Sequence, residues 1–136
     1  MVQRVDIGKP NLLKSALLLV VGCLLSVALH AEWVAVPRRP NVGQVYFDPE
    51  SVQAQGTNKR VRQLTDSETS MVASVEYDCA KPRYQLLQAD MFLGRMGNGE
   101  KKSLSMGPPS WQSVEPKSTN AIIRDRVCAV SDKQGK

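Results

Sequence analysis

The sequence predicts an α+β domain in which a small antiparallel β-sheet of about five to six strands packs against a C-terminal α-helix and carries one disulfide. Three observations lead to this prediction. Residues 71–79 alternate between apolar and polar side chains, which is the period of a half-buried strand. Residues 120–128 follow a capping residue and carry apolar side chains at helical spacing. One cysteine lies in each of these two segments.

The first 31 residues have the composition of an export signal. Three basic residues precede an apolar run of 14 residues, 16–29, which is too short to span a bilayer comfortably. A small-residue site follows, so we expect cleavage after Ala31. The alternatives are a lipobox at residues 20–23, which would leave Cys23 as a lipidated N-terminus, and an uncleaved membrane anchor. The apolar run continues past Cys23, which favours cleavage after Ala31.

Removal of residues 1–31 leaves 105 residues, which suffice for one domain at residues 32–130 and a flexible tail at residues 131–136. This part has 15 Lys and Arg residues against 12 Asp and Glu, a net charge of +3. The mild excess favours anionic partners in general. It falls far short of the dense basic surface that is typical of nucleic-acid binding.

The sequence of the first part of the domain predicts two strands. Residues 32–36 form a short apolar strand that ends before Pro37, since proline cannot donate to a ladder. Residues 44–48 form a second strand, and the aspartate–proline step that follows predicts a turn at residues 48–51. The two carboxylates of this segment could serve acid–base chemistry, but nothing else in the chain supplies the rest of an active site. We therefore interpret them as turn residues.

Basic residues gather on the third predicted strand, residues 59–65, which follows a glycine turn at residues 55–58. Arg60 and Arg62 fall on one face of this strand, and Lys59 extends the cluster. One interpretation is a solvated face or a charge-protected edge strand. The other is a patch for an acidic or sulfated partner. The residues that we select as candidates for partner binding are Lys59, Arg60, Arg62, Lys101 and Lys102.

The most regular alternation lies in residues 71–79, where the odd positions are apolar, so Cys79 should point at the core. A tight turn leads to a long strand, residues 84–93, that suits antiparallel pairing with it. Simple alternation puts Leu87, Ala89, Met91 and Leu93 on one face of that strand, and Tyr84, Leu86, Gln88, Asp90 and Phe92 on the other. A glycine turn at residues 94–99 and a last strand at residues 101–106 complete the sheet.

The C-terminal segment predicts a helix over residues 120–128, capped by Ser118 or Thr119. The side chains that we expect at its packing stripe are Ala121, Ile122, Asp125 and Cys128. The two tryptophans, Trp33 and Trp111, are expected to belong to the core or to cover an open end of it.

Cys79 and Cys128 are the cysteines that remain after the predicted signal. An exported domain meets an oxidising compartment, so we expect a disulfide between them, across a separation of 49 residues. The alternatives are two free buried thiols and an intermolecular bridge. An intramolecular bond would pin the helix to the sheet.

The sequence also excludes several kinds of chemistry. Its only histidine, His30, lies in the predicted signal, so the domain lacks the residue for histidine triads and for the common zinc and haem ligand sets. With both cysteines bridged, no thiolate nucleophile remains. We therefore predict no enzymatic activity, no cofactor and no metal site. A hydrolase that uses only carboxylates is the enzymatic alternative, and it would need two acidic residues facing each other in a cleft.

An ordered set of short motifs between residues 33 and 128 resembles the surface-adhesin protein E family of Gram-negative bacteria. The matching motifs are Trp33, Val45-Tyr46-Phe47-Asp48-Pro49 with Ser51-Val52, the segment from Ser74 to Tyr77-Asp78-Cys79, Met96-Gly97-Asn98-Gly99, Trp111-Gln112-Ser113-Val114-Glu115-Pro116 with Ser118, and Val127-Cys128. The resemblance implies a small antiparallel sheet flanked by a C-terminal helix, export to the cell envelope and, in some members, adhesion to host matrix and plasma proteins. It supplies no adhesive residues, because these motifs are those expected to build the fold.

We therefore predict an exported, non-enzymatic protein in the periplasm or on the outer-membrane surface of a Gram-negative bacterium. It would bind another protein, such as a host matrix or plasma protein, through its sheet edge or its basic face, and it would not bind nucleic acid. The alternative is a periplasmic module that serves envelope assembly or stress, or holds a small ligand, without host contact. Unpaired edges in so small a sheet also suggest a homodimer.

Overall fold

The computed structural model describes residues 32–131, so the predicted signal and almost all of the predicted tail lie outside the described residues. Within this range the chain forms a seven-stranded antiparallel sheet and a C-terminal helix, which confirms the predicted α+β fold. The strands are β1 (Val34–Ala35), β2 (Gln44–Gln55), β3 (Asn58–Asp66), β4 (Ser70–Asp78), β5 (Arg83–Phe92), β6 (Lys101–Ser103) and β7 (Gln112–Ser113). A 3₁₀ turn at Arg95–Gly97 joins β5 to β6, and helix α1 spans Thr119–Ala129.

Strands β1 to β6 lie side by side in chain order, and β7 pairs with the opposite end of β5 from β6. The face covered by α1 is called the helix face below, and the other is called the helix-free face. On β4 the helix face carries Ala73, Val75 and Tyr77, which are at most 5% exposed. The alternation predicted for this strand is therefore confirmed.

Helix α1 begins after Ser118, whose Oγ accepts a hydrogen bond from the N–H of Ala121 at 3.1 Å, as the cap prediction requires. Ile123 and Val127, one turn apart, are its buried residues and belong to the main core. The predicted packing stripe is wrong at Asp125, whose side chain is 78% exposed. Ile123 and Val127 determine which side of the helix meets the sheet, and Ile122 of the predicted stripe packs against the same core.

Cys79 and Cys128 form the predicted disulfide, with their Cα atoms 5.7 Å apart. Cys79 directly follows β4 and Cys128 lies in the last turn of α1, so the bond joins the central strand to the end of the helix. Beside it, Arg124 of α1 donates from Nε to the carbonyl oxygen of Asp78 at 2.8 Å. The helix is therefore fixed to β4 by a covalent bond and by a hydrogen bond.

The turn predicted at residues 48–51 is instead a bulge inside β2. Asp48 pairs with Arg62 and Gln53 pairs with Arg60, so four residues of β2 face the single residue between those arginines. The turn chemistry is present, because Asp48 Oδ1 accepts from the N–H of Glu50 at 3.0 Å. The chain nevertheless returns to the ladder, and Pro49 is tolerated because β1 pairs with only two residues of β2 and leaves this edge open.

A second bulge, at Leu87, changes which residues of β5 face the helix. Ser74 pairs with Gln88 and Val75 pairs with Leu86, so Leu87 has no partner on β4. The extra residue brings Tyr84 and Leu86 onto the helix face together with Ala89 and Met91. The face assignment predicted by simple alternation is therefore wrong for residues before the bulge.

The last predicted strand is shorter than expected, since β6 ends at Ser103. The N–H of Leu104 still donates to the carbonyl oxygen of Ala89 at 3.0 Å, and the chain then leaves the sheet towards the glycine and prolines at residues 107–109. Among the described residues, no helix has the length and apolar character needed to cross a bilayer.

Candidate functional site: the helix-free face

The five basic residues selected from the sequence divide between the two faces of the sheet. Pairing along the strands places Arg60, Arg62 and Lys101 on the helix-free face. Lys59 and Lys102 lie on the helix face, and Lys59 donates from Nζ to the carbonyl oxygen of Val130 at the end of α1. The cluster predicted for Lys59 with the two arginines is therefore split, because successive residues of a strand point to opposite faces.

On the helix-free face, basic side chains form five ion pairs with carboxylates beneath them, of which four are buried and that of Asp90 is half-buried. The pairs and their N–O distances are Arg60–Glu76 (3.5 Å), Arg62–Asp48 (3.7 Å), Arg83–Asp78 (2.7 Å), Arg95–Asp66 (2.9 Å) and Lys101–Asp90 (3.8 Å). The basic side chains are 38–71% exposed, whereas the acidic ones are 0–16% exposed. This layering presents cationic groups to solvent and keeps their counter-charges beneath them.

The five ion pairs differ in whether the basic side chain also makes a hydrogen bond to its carboxylate. Arg83 and Arg95 make hydrogen bonds of 2.7 Å and 2.9 Å to their carboxylates. Arg60 makes none to Glu76, and its buried Nε has no hydrogen-bond partner among the described residues. Glu76 is instead held by Asn58 and Gln85. The buried Nε cannot reach an external acceptor, but the Arg60 side chain is 43% exposed and no hydrogen bond commits it to Glu76, so its exposed end is open to one. The 3.7 Å pair of Arg62 is similarly loose.

Two of the buried carboxylates also organise the backbone around them. The side-chain hydrogen bond from Arg83 is the largest influence on Asp78, and with the N–H groups of Ala80 and Lys81 it holds the pKa of that carboxyl below its usual value despite burial. Burial alone would raise the pKa of Asp66, but the N–H of Met96 and the guanidinium of Arg95 together lower it. Both groups are therefore carboxylates at neutral pH.

Each tryptophan lies beside an arginine of this face rather than in the main core. The guanidinium carbon of Arg62 is 5.3 Å from the ring centroid of Trp33, and that of Arg83 is 4.4 Å from the ring centroid of Trp111. Both distances suit a cation–π contact. The two indoles are half-buried, and they limit the motion of the guanidinium groups that lie over them.

Between the rows of charge lies a shallow depression of about 210 Å³, lined by Arg62, Val72, Ala73, Ser74, Gln88 and Asp90. It offers a cation, a carboxylate, a hydroxyl and an amide to a polar group. Nowhere in residues 32–131 do three potential metal-ligating side chains lie together. The depression therefore suits polar contact with a partner.

The edges of the sheet are less suited to binding than its face. The outer edge of β2 carries Pro49 and a bulge, and that of β5 carries the bulge at Leu87. Strand β6 is three residues long and contains Lys101 and Lys102. Prolines, bulges, lysines and short edge strands all discourage the addition of another strand. The helix-free face is therefore the better candidate site.

Sequence reasoning missed two of the five basic residues of this face, Arg83 and Arg95. A signal for Arg83 was available, since Asp78 and Arg83 flank a tight turn and therefore face each other at the base of a hairpin. For Arg95 there was no such signal. Its partner Asp66 lies 29 residues earlier, and only the fold of the loop brings them together.

The family model of surface-adhesin protein E matches residues 33–129, almost the whole described domain. The chain belongs to the surface-adhesin protein E family. The resemblance found in the sequence is thus confirmed, and the protein is of the surface-adhesin type found in Gram-negative cell envelopes. No curated protein matches the chain in sequence.

Solved structures of adhesin E proteins share this fold. The selenomethionine form of protein E from Haemophilus influenzae superposes with a TM-score of 0.62 at 14% identity, over 74% of this chain and 88% of that chain. A crystal structure of protein E from non-typeable Haemophilus influenzae gives a TM-score of 0.56 at 15% identity, over 70% of this chain and 75% of that chain. At this identity the likeness concerns the fold alone.

Proposed function

We propose that this domain is a non-enzymatic adhesin. The helix-free face of its sheet binds acidic groups on a protein partner. Membership of the surface-adhesin protein E family supports an adhesive role. The observation that carries the proposed site is the layer of half-exposed cations above buried carboxylates. A host matrix or plasma protein that displays carboxylate or sulfate groups has the complementary chemistry.

The layering favours short-range recognition. Each carboxylate neutralises the cation above it, so the face has little net charge to attract a distant partner. The indole of Trp33 limits the motion of the Arg62 guanidinium, which lowers the entropy cost of binding at that residue. Arg60 and Arg62 are the residues with loosely paired guanidinium groups, and arginine can meet a carboxylate or sulfate with two parallel hydrogen bonds.

A pair of double variants tests the proposed site. Arg60→Gln/Arg62→Gln removes two charges from the helix-free face, and Lys102→Gln/Arg126→Gln removes two charges from elsewhere on the exposed surface. Binding to immobilised matrix and plasma proteins, and to heparin as a sulfated probe, is measured at low salt by surface plasmon resonance. The first variant should weaken binding by about tenfold or more and the second by less than about twofold, since two charge-assisted contacts contribute on the order of 2 kcal/mol. Equal effects of the two variants would contradict the proposed site.

We also propose that the domain is exported by removal of residues 1–31 and displayed on the outer surface. Mass spectrometry of the protein isolated from cells distinguishes cleavage after Ala31 from a lipid on Cys23. Protease treatment of whole cells then tests the location, because a surface adhesin is digested and a periplasmic protein is spared. Full protection in intact cells, with digestion after the outer membrane is opened, would favour the periplasmic alternative.

A further inference from the structure

The helix face has an apolar area that helix α1 does not cover. It lies at the end of the sheet where β5 turns into β6, and we call it the hairpin patch. Its apolar members are Met91, Leu93 and Leu104, which are 36%, 50% and 38% exposed. Met71, the partner of Met91 on β4, connects the patch to the core. The patch is therefore an exposed extension of the core and not a set of isolated side chains.

Two charged side chains of opposite sign lie on the hairpin patch. Lys102 pairs directly with Met91, and the carbonyl oxygen of Glu100 accepts from the N–H of Leu93 at 3.1 Å. Since alternate residues of a strand share a face, Glu100 and Lys102 lie on the same side as these two apolar residues. Both are exposed, and within residues 32–131 neither side chain has a hydrogen bond or an ion pair. The patch thus carries one unpaired negative and one unpaired positive charge.

The hairpin that carries the patch is held in one shape. Strands β5 and β6 pair over three residues each. The loop between them is fixed to β3, because Arg95 donates to the carboxylate of Asp66 at 2.9 Å on the opposite side of the sheet. A surface that is fixed in this way loses little conformational entropy when it docks.

We propose that the hairpin patch docks a second copy of this chain, packed face to face about a two-fold axis. Consider an axis between the two sheets that crosses the strands at right angles, at the residue pair that ends β5 and begins β6. This axis sets Glu100 opposite Lys102 of the second copy. The same axis sets Leu93 opposite Met91 of the second copy. Each contact occurs twice, so the unpaired charges of both copies gain partners beside apolar side chains that exclude water.

The charges of the patch favour this occupant over others. An anionic surface would meet Glu100 as well as Lys102, and a cationic surface would meet both as well, so neither gains from the whole patch. Lysine and glutamate are depleted from the cores of protein interfaces, because an unpaired charge is costly to bury. A second copy supplies the opposite charge at each of the two positions from the same sequence.

The patch is small, so the dimer should be weak, with a dissociation constant of about 10–100 µM. The helix faces meet in the dimer, and both helix-free faces are directed outwards. A consequence that rests on the function proposed above is that the dimer can contact a matrix at two sites, which raises avidity. Well below this dissociation constant the domain is monomeric, so the dimer does not affect the binding test with Lys102→Gln/Arg126→Gln.

Sedimentation equilibrium of residues 32–136, at concentrations up to about 500 µM, tests the proposal. Glu100→Lys leaves two positive charges on the patch, and Lys102→Glu leaves two negative charges. Each variant alone should associate at least about tenfold more weakly than the wild type, because like charges then face each other. An equimolar mixture of the two should associate within about threefold of the wild type, since every opposed pair again has opposite signs. Loss of folding cannot produce that recovery.

Two further variants separate apolar packing from a general change at the hairpin. Leu93→Ser should weaken association by about fivefold through lost apolar burial. Lys101→Gln is the matched control, because Lys101 lies on the same strand as Lys102 but on the helix-free face, where it pairs with Asp90 at 3.8 Å. It should change association by less than about twofold.

Three results would overturn the proposal. One is a wild-type domain that stays monomeric over the whole concentration range, which would leave the patch to another occupant. Another is a dimer that neither charge reversal weakens, which would assign association to a different surface such as a sheet edge. The third is a mixture of the two variants that associates as weakly as each variant alone. These measurements contain no partner protein, so the proposed adhesion and the dimer can fail independently.

Discussion

Asp66, at the end of β3, holds the loop between β5 and β6 through Arg95, whose Nη2 lies 2.9 Å from Asp66 Oδ2. The other oxygen of the carboxylate accepts from the N–H of Met96 at 2.7 Å. The loop folds onto the helix-free face, where a methyl group at Gly97 would lie 3.5 Å from Val72. Leu64, the partner of Val72 on β3, has no exposed surface there although it lies outside the main core. Asp66 and Arg95 therefore close a second, smaller apolar cluster.

Replacing Asp66 with asparagine should destabilise the domain by about 1–2 kcal/mol. The variant keeps one acceptor for Met96 but loses the charge that faces Arg95. The value lies at the low end for a buried pair, since Arg95 is 71% exposed and solvent screens the interaction. Urea unfolding provides the measurement. Asp125→Asn is the matched control and should change stability by less than about 0.5 kcal/mol, because it removes an exposed carboxylate. If the two variants lost the same free energy of unfolding, Asp66 would contribute no more to stability than an exposed carboxylate.

The pH dependence of stability should show a flat range at neutral pH and a loss in acid. The pKa values of Asp66 and Asp78 are lower in the folded protein than the usual 3.8. The unfolded chain therefore binds more protons than the folded protein in acid, so this stabilisation is present above about pH 5 and is lost as the pH falls through 4 towards the folded pKa values. Urea unfolding at pH 7 and pH 3 tests this. Asp66→Asn/Asp78→Asn should lower stability at pH 7 and show a smaller further loss at pH 3; an unchanged acid loss would assign the effect to other groups.

Loss of the bond between Cys79 and Cys128 should destabilise the domain by roughly 4 kcal/mol in the chain-entropy model, which is an upper value because strain subtracts from it. A reductant should lower the thermal midpoint of the wild-type domain and leave Cys79→Ala/Cys128→Ala unchanged, since the variant has no bond to reduce. Thermal unfolding with and without reductant measures both. Alkylation of the thiols would show that the disulfide has been reduced. If the thermal midpoint of the wild-type domain were then unchanged, the disulfide would contribute little to stability.

The hydroxyl of Tyr77 joins the sheet to the helix, because it bonds Gln63 on β3 and Asn120 on α1, the latter at 3.1 Å. Burial raises the pKa of Tyr77 well above the usual range of tyrosine, so the hydroxyl stays protonated. Tyr77→Phe should cost about 1–2 kcal/mol, since the side chains of Gln63 and Asn120 lose a hydrogen-bond partner in a partly buried setting.

The matched control for Tyr77 is Tyr84→Phe, because the hydroxyl of Tyr84 makes an exposed hydrogen bond to Gln112 at 3.1 Å. That variant should cost less than about 0.5 kcal/mol. Chemical denaturation compares the two. A loss at Tyr84 that matches the loss at Tyr77 would show that the link between sheet and helix is unimportant.

The parts of the fold that sequence reasoning predicted rest on local chemistry. The alternation of Ala73, Val75 and Tyr77 predicted the central strand, and the cap at Ser118 predicted the start of the helix. The wrong predictions concern residues whose neighbours are distant in sequence. The bulge at Leu87 follows from pairing with β4, and no local pattern marks the extra residue.

The candidate site was predicted in part for the same reason. Alternation placed Arg60 and Arg62 on one face, but the carboxylates beneath them come from other strands and depend on register. Glu76 and Asp78 occupy polar positions of the strand that alternation predicted to be half-buried. They are buried because the helix-free face is covered by its own basic side chains, which a single strand cannot reveal.

Chemical footprinting tests the proposed binding face most directly. Phenylglyoxal modifies exposed guanidinium groups, and mass spectrometry measures the modification of each arginine in the free domain and in its complex with a matrix protein. We predict that the partner protects Arg60 and Arg62, while Arg126, exposed on α1, reacts equally in both states. Protection of Arg126 with unchanged reactivity of Arg60 and Arg62 would show that the partner binds the helix side of the domain and would contradict the account.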